Sequence, residues 1–294
     1  MQQNQPLRKL SIGEVFYARQ VWLYNLTVVR QTDDNTQSKA DVRTYTWLET
    51  EAGRGSNEVG SAVHHYLRKL ESSLQGRTGL TLRLFSDAWS SQNKNAVMLC
   101  LLVRFVERSK VFDRVVHTFP VRGHSYMPPD RVFGRIEKDL RKVETIVSPA
   151  QYHRILEQHG TVLRWDIEWQ SQDYQTIQKR ICKTMRSFKM QEQKVFIYDK
   201  VHSGEVGVKA VYSQSEIFAS FLKKGRKLSE MDAPVRIPKT NKVQVQKKND
   251  VKKLMAFFET PDEAKDFYND ITSATATKGH DVEHDAYADK ESFV

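Results

Sequence analysis

Aromatic and β-branched residues crowd positions 16–29, a pattern that predicts a β-strand. A polar cluster at 33–38 predicts a turn, and 42–48 alternates as the partner strand. Ser56 is placed to cap a helix, because Val59, Ala62, Val63, Tyr66, Leu67 and Leu70 follow at helical spacing. Leu80–Phe85 predicts a strand, 95–107 an amphipathic-to-apolar helix, 111–119 a strand and 130–143 a helix. The order strand, strand, helix, strand, helix, strand, helix predicts an α/β protein with an RNase H-like mixed sheet flanked by helices. Such a sheet opens on a three-strand meander. The segment 1–10 is short and polar, so the expectation is that the N-terminal strand is truncated.

After Pro149 the pattern changes. Residues 149–158 and 170–184 predict helices, and 195–198 with 206–212 a two-stranded unit around Ser203-Gly204. A basic stretch covers 223–253, and short closing helices are expected over 254–258 and 261–271. Residues 273–294 mix charge and small residues without periodicity, which predicts disorder. The chain thus divides into a core at 1–148, an α+β, basic extension at 149–272 and a tail at 273–294.

Composition adds a partner. The chain carries a net charge of +10 over 294 residues, which favours an acidic ligand, with nucleic acid first. Hydrophobic residues make up 39% of it, enough for a packed core. Cys100 and Cys182 suggest neither a disulfide framework nor a zinc cluster, and fit a reducing compartment. The first residues lack a signal pattern, and the longest apolar run, 96–103, is too short to span a bilayer. The expectation is a soluble, intracellular protein without a membrane partner.

The candidate chemistry lies in two polar motifs. Asp87 ends the run from Leu80, and an Asp at the carboxyl end of a strand in an α/β sheet is a common ligand or catalytic position. The plainer reading is a turn Asp capping the next helix. Gln92-Asn93-Lys94-Asn95 follows, with amide and ammonium donors suited to phosphate oxygens, or else to a helix start capped by Asn93 or Asn95. Asp130 and Glu137, two helical turns apart, project from one face. With Asp87 they form a set that could hold Mg²⁺ or Mn²⁺ for in-line displacement. Alone, Asp130 reads as a cap and Glu137 as a solvated charge. His124 in a Gly-His-Ser turn is a candidate for proton transfer or for orienting water or phosphate. Arg122 and Arg131 flank the second motif and join Asn93 and Lys94 as candidate nucleic-acid contacts. The basic stretch reads as a backbone-tracking segment or as a solvated loop.

These motifs resemble those of a widespread animal family of transposon-derived proteins, with a domain of unknown function and an RNase H-like, DDE-transposase-like core. The matching residues are Gln2-Gln3-Asn4 with Pro6, the string from Phe16 to Leu26, Trp47 with Glu49, and Arg54-Gly55-Ser56-Asn57-Glu58-Val59-Gly60-Ser61. Ser86-Asp87, Gln92-Asn93-Lys94-Asn95, Gly123-His124-Ser125, Asp130, Ile136-Glu137 and the late Phe267-Tyr268 complete the set. The resemblance covers roughly residues 1–271. The family's Cys and flexible segment after the Asp are Ala88-Trp89-Ser90-Ser91 here, and the Cys before its later Asp is Pro129.

The resemblance implies an ancestral, metal-dependent phosphoryl transfer on DNA and a nuclear location. It also implies a further Asp just before Gln2, a position outside this sequence. The expectation is therefore a chain that is inactive or weak as a nuclease. The alternatives are a domesticated nucleic-acid-binding module without chemistry and a protein-interaction remnant; self-association fits any of them.

Overall fold

A computed structural model describes residues 2–7, 18–31, 37–121, 126–183, 189–240 and 242–277, the first of these as backbone. The protein is mixed α/β, with mixed sheets flanked by helices. The elements run β1 (Gln2–Leu7), β2 (Val21–Val29), β3 (Val42–Leu48), α1 (Ser56–Ser73), β4 (Leu80–Phe85), α2 (Ala96–Arg108), β5 (Phe112–Thr118) and α3 (Pro128–Lys142). Then come α4 (Pro149–Glu157), β6 (Thr161–Arg164), α5 (Tyr174–Ile181), β7 (Val195–Asp199), β8 (Glu205–Lys209) and β9 (Ile217–Ser220). The last are β10 (Lys242–Gln244), α6 (Val245–Leu254), α7 (Lys265–Ser273) and β11 (Thr275–Thr277). Of the predicted disordered tail, 278–294 lie outside the described residues, as do Phe16 and Tyr17, whereas 273–277 are ordered, with Thr275–Thr277 pairing as a strand with Lys242–Gln244.

One expectation is corrected at the start. Gln2–Leu7 is a strand, antiparallel to β2, with Asn4 opposite Tyr24. Its own composition hid it: a run of Gln and Asn with Pro6 carries no apolar alternation, and only the backbone ladder to β2 makes it a strand. The meander β1-β2-β3 is therefore present.

Two larger sheets share the molecule. One has the order β1-β2-β3-β6, the other β4-β5-β7-β8-β9. In the first, β3 and β6 are parallel. In the second, β4 and β5 are parallel and the rest antiparallel. Both sheets continue across residue 148, since β6 completes the first and β7–β9 complete the second. Among the described residues no ladder joins β1 to β4, so each is the outer strand of its own sheet.

Alternation explains the cores. On β2, Tyr24 and Leu26 enter one core while Val21 and Leu23 enter the other, so the strand is buried on both faces. The larger core joins Tyr45 and Trp47 of β3 to α1, α2, α5 and the inner residues of β5, β7 and β8. The smaller core packs Val132, Phe133, Ile136 and Leu140 of α3 against β2, with α4, α6 and α7 alongside. The apolar run predicted at 96–103 is the buried centre of α2. Cys100 and Cys182, far apart in sequence, meet there as free buried thiols. A hydrogen bond between them, then burial, pushes the Cys100 thiol up. Among the described residues no helix is long and apolar enough to cross a membrane.

Candidate functional site at the carboxyl end of the β4–β5 pair

The parallel strands β4 and β5 end together, with Phe85 opposite Thr118. The Ser86 amide donates to the Thr118 carbonyl at 3.3 Å and so holds the two exits side by side. The Ser86 hydroxyl lies 2.8 Å from Nε2 of His117. His117 is 3% exposed and packs on the Phe119 ring at 4.2 Å between centroids. Burial, then the Lys94 charge, pushes its pKa down to about 3, so the imidazole is neutral at physiological pH.

The turn after Asp87 is folded on one carbonyl. Trp89 O accepts the backbone N–H groups of Gln92, Asn93 and Lys94. This winding returns the Asn93 side chain to Asp87, where Nδ2 donates to Oδ1 at 2.5 Å. Lys94 is 4% exposed; its Nζ donates to the Gln191 carbonyl at 2.8 Å and sits 5.2 Å from the Phe119 ring centroid. Asn95 is the N-cap of α2 and accepts from the amides of Val97 and Met98. Asp87 and Asn93-Lys94-Asn95 are thus one hydrogen-bonded unit. Beside it opens a cleft of about 240 Å³, lined by Ala88, Lys94, Phe119, Pro120, Val121, Gln191 and Lys194.

The second motif is placed differently. Asp130 Oδ2 accepts from the Met127 amide at 2.7 Å and closes the first turn of α3. Glu137 is exposed and accepts from Arg141 Nε at 3.3 Å. Arg131 is exposed on the same helix. His124 and Arg122 lie outside the described residues, as do Gly123 and Ser125. Asp87, Asp130 and Glu137 each already receive a protein donor. Among the described residues no group of three or more His, Cys, Asp or Glu converges on a metal position.

Two further motifs prove to be joints. Gly55, not Ser56, holds the cap position of α1, and its amide donates to Glu58 at 2.8 Å. Ser56 Oγ then donates to the Ser91 carbonyl, and Asn57 bonds Asp173 and the Gln175 amide at the start of α5. Several side chains of the basic stretch have partners within the protein, most of them at its surface. Lys223 is held by the Lys179 carbonyl, Arg226 by Glu230, Lys239 by Asp270 and Lys248 by the Ala274 carbonyl. Lys247 is buried against Glu49.

Sequence reasoning missed His117, Phe119, Gln191 and Lys194. The one local signal was His117 alternating inward with Val115 along β5. Gln191 and Lys194 reach the site only through the β5–β7 ladder.

No curated protein and no solved structure matches the chain. Residues 35–216, more than half of its length, match the family described as "Domain of unknown function (DUF7869)". That stretch holds Asp87, Asn93, Lys94, His117 and the whole cleft, and the protein belongs to this family of unknown function.

Proposed function

We propose that the protein is an RNase H-like, transposase-derived nucleic-acid-binding protein of the nucleus, acting first on DNA, and that its binding centre is the cleft at the carboxyl end of β4–β5. The observation that carries the reading is the cleft lining, which has the part-exposed Lys194 at its surface, the charge of the buried Lys94 behind it, and no carboxylate. Ligands of α/β sheets gather outside the carboxyl ends of strands, and a cationic cleft there favours phosphate. The net charge of +10 supports the same partner. The RNase H-like reading is supported by the antiparallel β1-β2-β3 meander followed by the parallel pair β4–β5 with intervening helices. A sheet of that type would be continuous, whereas here β1 and β4 border separate sheets.

Phosphoryl transfer is on this reading the ancestral activity, and weak or absent in this chain. The donor set supports that: Asp87 is tied to Asn93, while Asp130 serves its own helix. The test is binding of a labelled 30-mer DNA at several salt concentrations, alongside incubation of plasmid DNA with Mg²⁺. Binding should weaken log-linearly with salt, and Lys194→Ala should reduce the slope by about one. Salt-independent or absent binding would overturn the proposal, and efficient Mg²⁺-dependent cleavage would overturn its second half.

A further inference from the structure

Phe85 and Trp89 are 60% and 61% exposed, although both are large apolar residues. They bracket Ser86-Asp87, and Trp89 adjoins Ala88, a wall of the lysine-lined cleft. Along β4 the exposed residues alternate, so Arg83 stands beside Phe85 on the same outward face. An outer strand more often turns charge than aromatic surface to water, because exposed apolar side chains there invite aggregation. The Trp89 backbone is also fixed, its carbonyl accepting three successive amides. The ring is therefore presented from a hydrogen-bonded turn, which lowers the cost of ordering the backbone when something stacks on it.

Exposed aromatic rings together with Arg83 and Lys194 match one chemistry well: unpaired bases on a phosphate backbone. A duplex keeps its base faces stacked inside and offers an aromatic ring nothing to cover. We infer that the site selects single-stranded nucleic acid, with bases stacked on Trp89 and Phe85 and the backbone running past Arg83 and Lys194 at the cleft. The inference rests on the nucleic-acid reading above and specifies its ligand.

The test uses the full chain and labelled dT20, rU20 and a 20-base-pair duplex, with binding followed by fluorescence anisotropy. Single strands should bind at least about tenfold more tightly than duplex, and Trp89→Ala and Phe85→Ala should each cost about tenfold on single strands alone. Phe257→Ala, an exposed aromatic of the C-terminal region, is the control and should change nothing. Tighter binding of dT20 than rU20 assigns the ligand to DNA, and the reverse assigns it to RNA; both support single-strand selection. Equal affinity for duplex, or wild-type single-strand affinity in both variants, overturns the inference and leaves the nucleic-acid reading standing. No binding to any of the three overturns both.

Discussion

Lys247 Nζ lies 3.0 Å from Oε1 of Glu49 and 3.2 Å from Oε2, joining α6 to the chain just past β3. Lys247 is 3% exposed. Glu49 also accepts from the Trp22 amide at 3.2 Å, so one carboxylate links two strands and a helix. Lys247→Ala would remove the cationic partner of a largely buried carboxylate and should destabilise the fold by about 2–4 kcal/mol. The double variant Glu49→Gln/Lys247→Met should recover most of that loss. Urea unfolding of the three proteins decides it; a loss below about 1 kcal/mol in Lys247→Ala would refute the role given to the pair.

Gly160 sits where β6 approaches β3. A Cβ there would lie 2.6 Å from Val42 Cγ1 and 2.9 Å from the Val42 carbonyl oxygen. The carbonyl belongs to a strand and cannot swing away. Gly160→Ala should therefore cost about 1–3 kcal/mol by overpacking, read by the same unfolding assay. A neutral result would mean that β6 shifts freely along β3.

Asn25 presents the opposite problem. It lies in the middle of β2, 1% exposed, and neither amide atom has a hydrogen-bond partner among the described residues. Its neighbour across the ladder, Thr46, is already engaged by His153 and the Leu163 carbonyl. Replacing such a group with an apolar side chain of similar shape removes a desolvation cost of about 1–3 kcal/mol. Asn25→Leu should raise the melting temperature, and a lower one would show that the amide has a partner in solution.

Acid should loosen the protein through histidines. Burial pushes His117 down to about 3, and His64 and His153 to about 4, from an ordinary value of 6.5. Above 6.5 all are neutral in both states. As pH falls from there toward 4 the unfolded chain takes up protons that the folded one refuses, so stability declines. Glu51 works against this: burial raises its pKa to about 7 from 4.5, which adds stability as pH falls across that interval. The expected net result is loss of stability between about pH 6 and 4, because His65 is lowered by burial as well and the four histidines oppose one carboxylate. His117→Gln should flatten the decline and Glu51→Gln should steepen it in melts across that range. An unchanged slope in His117→Gln would exclude the buried neutral imidazole.

Much of this architecture was legible because period and capping are local. Val42–Leu48 and Leu80–Phe85 appear at the predicted residues, and Asn95 caps α2 as one of its readings required. The α/β class followed from their order. What escaped depends on partners distant in sequence. β1 has no apolar signature, and the short strands β6 and β9 exist by pairing. At the site, Asp87 and Asn93 lie close enough in sequence to be suspected together. Ser86 and His117 come together only because β4 and β5 are neighbours, and Lys94 reads as a solvent-facing phosphate contact until Gln191 and Phe119 close over it.

The split of each sheet across the chain has a consequence during synthesis. On the ribosome, β3 waits for β6, and β5 waits for β7, until residues 161–164 and 195–199 have emerged. Until then two strands carry unpaired edges of the kind that aggregate or recruit chaperones. A fragment ending near residue 148 would keep that state permanently. It should be recovered from cells as insoluble protein, whereas a chain extended through β9 closes both edges.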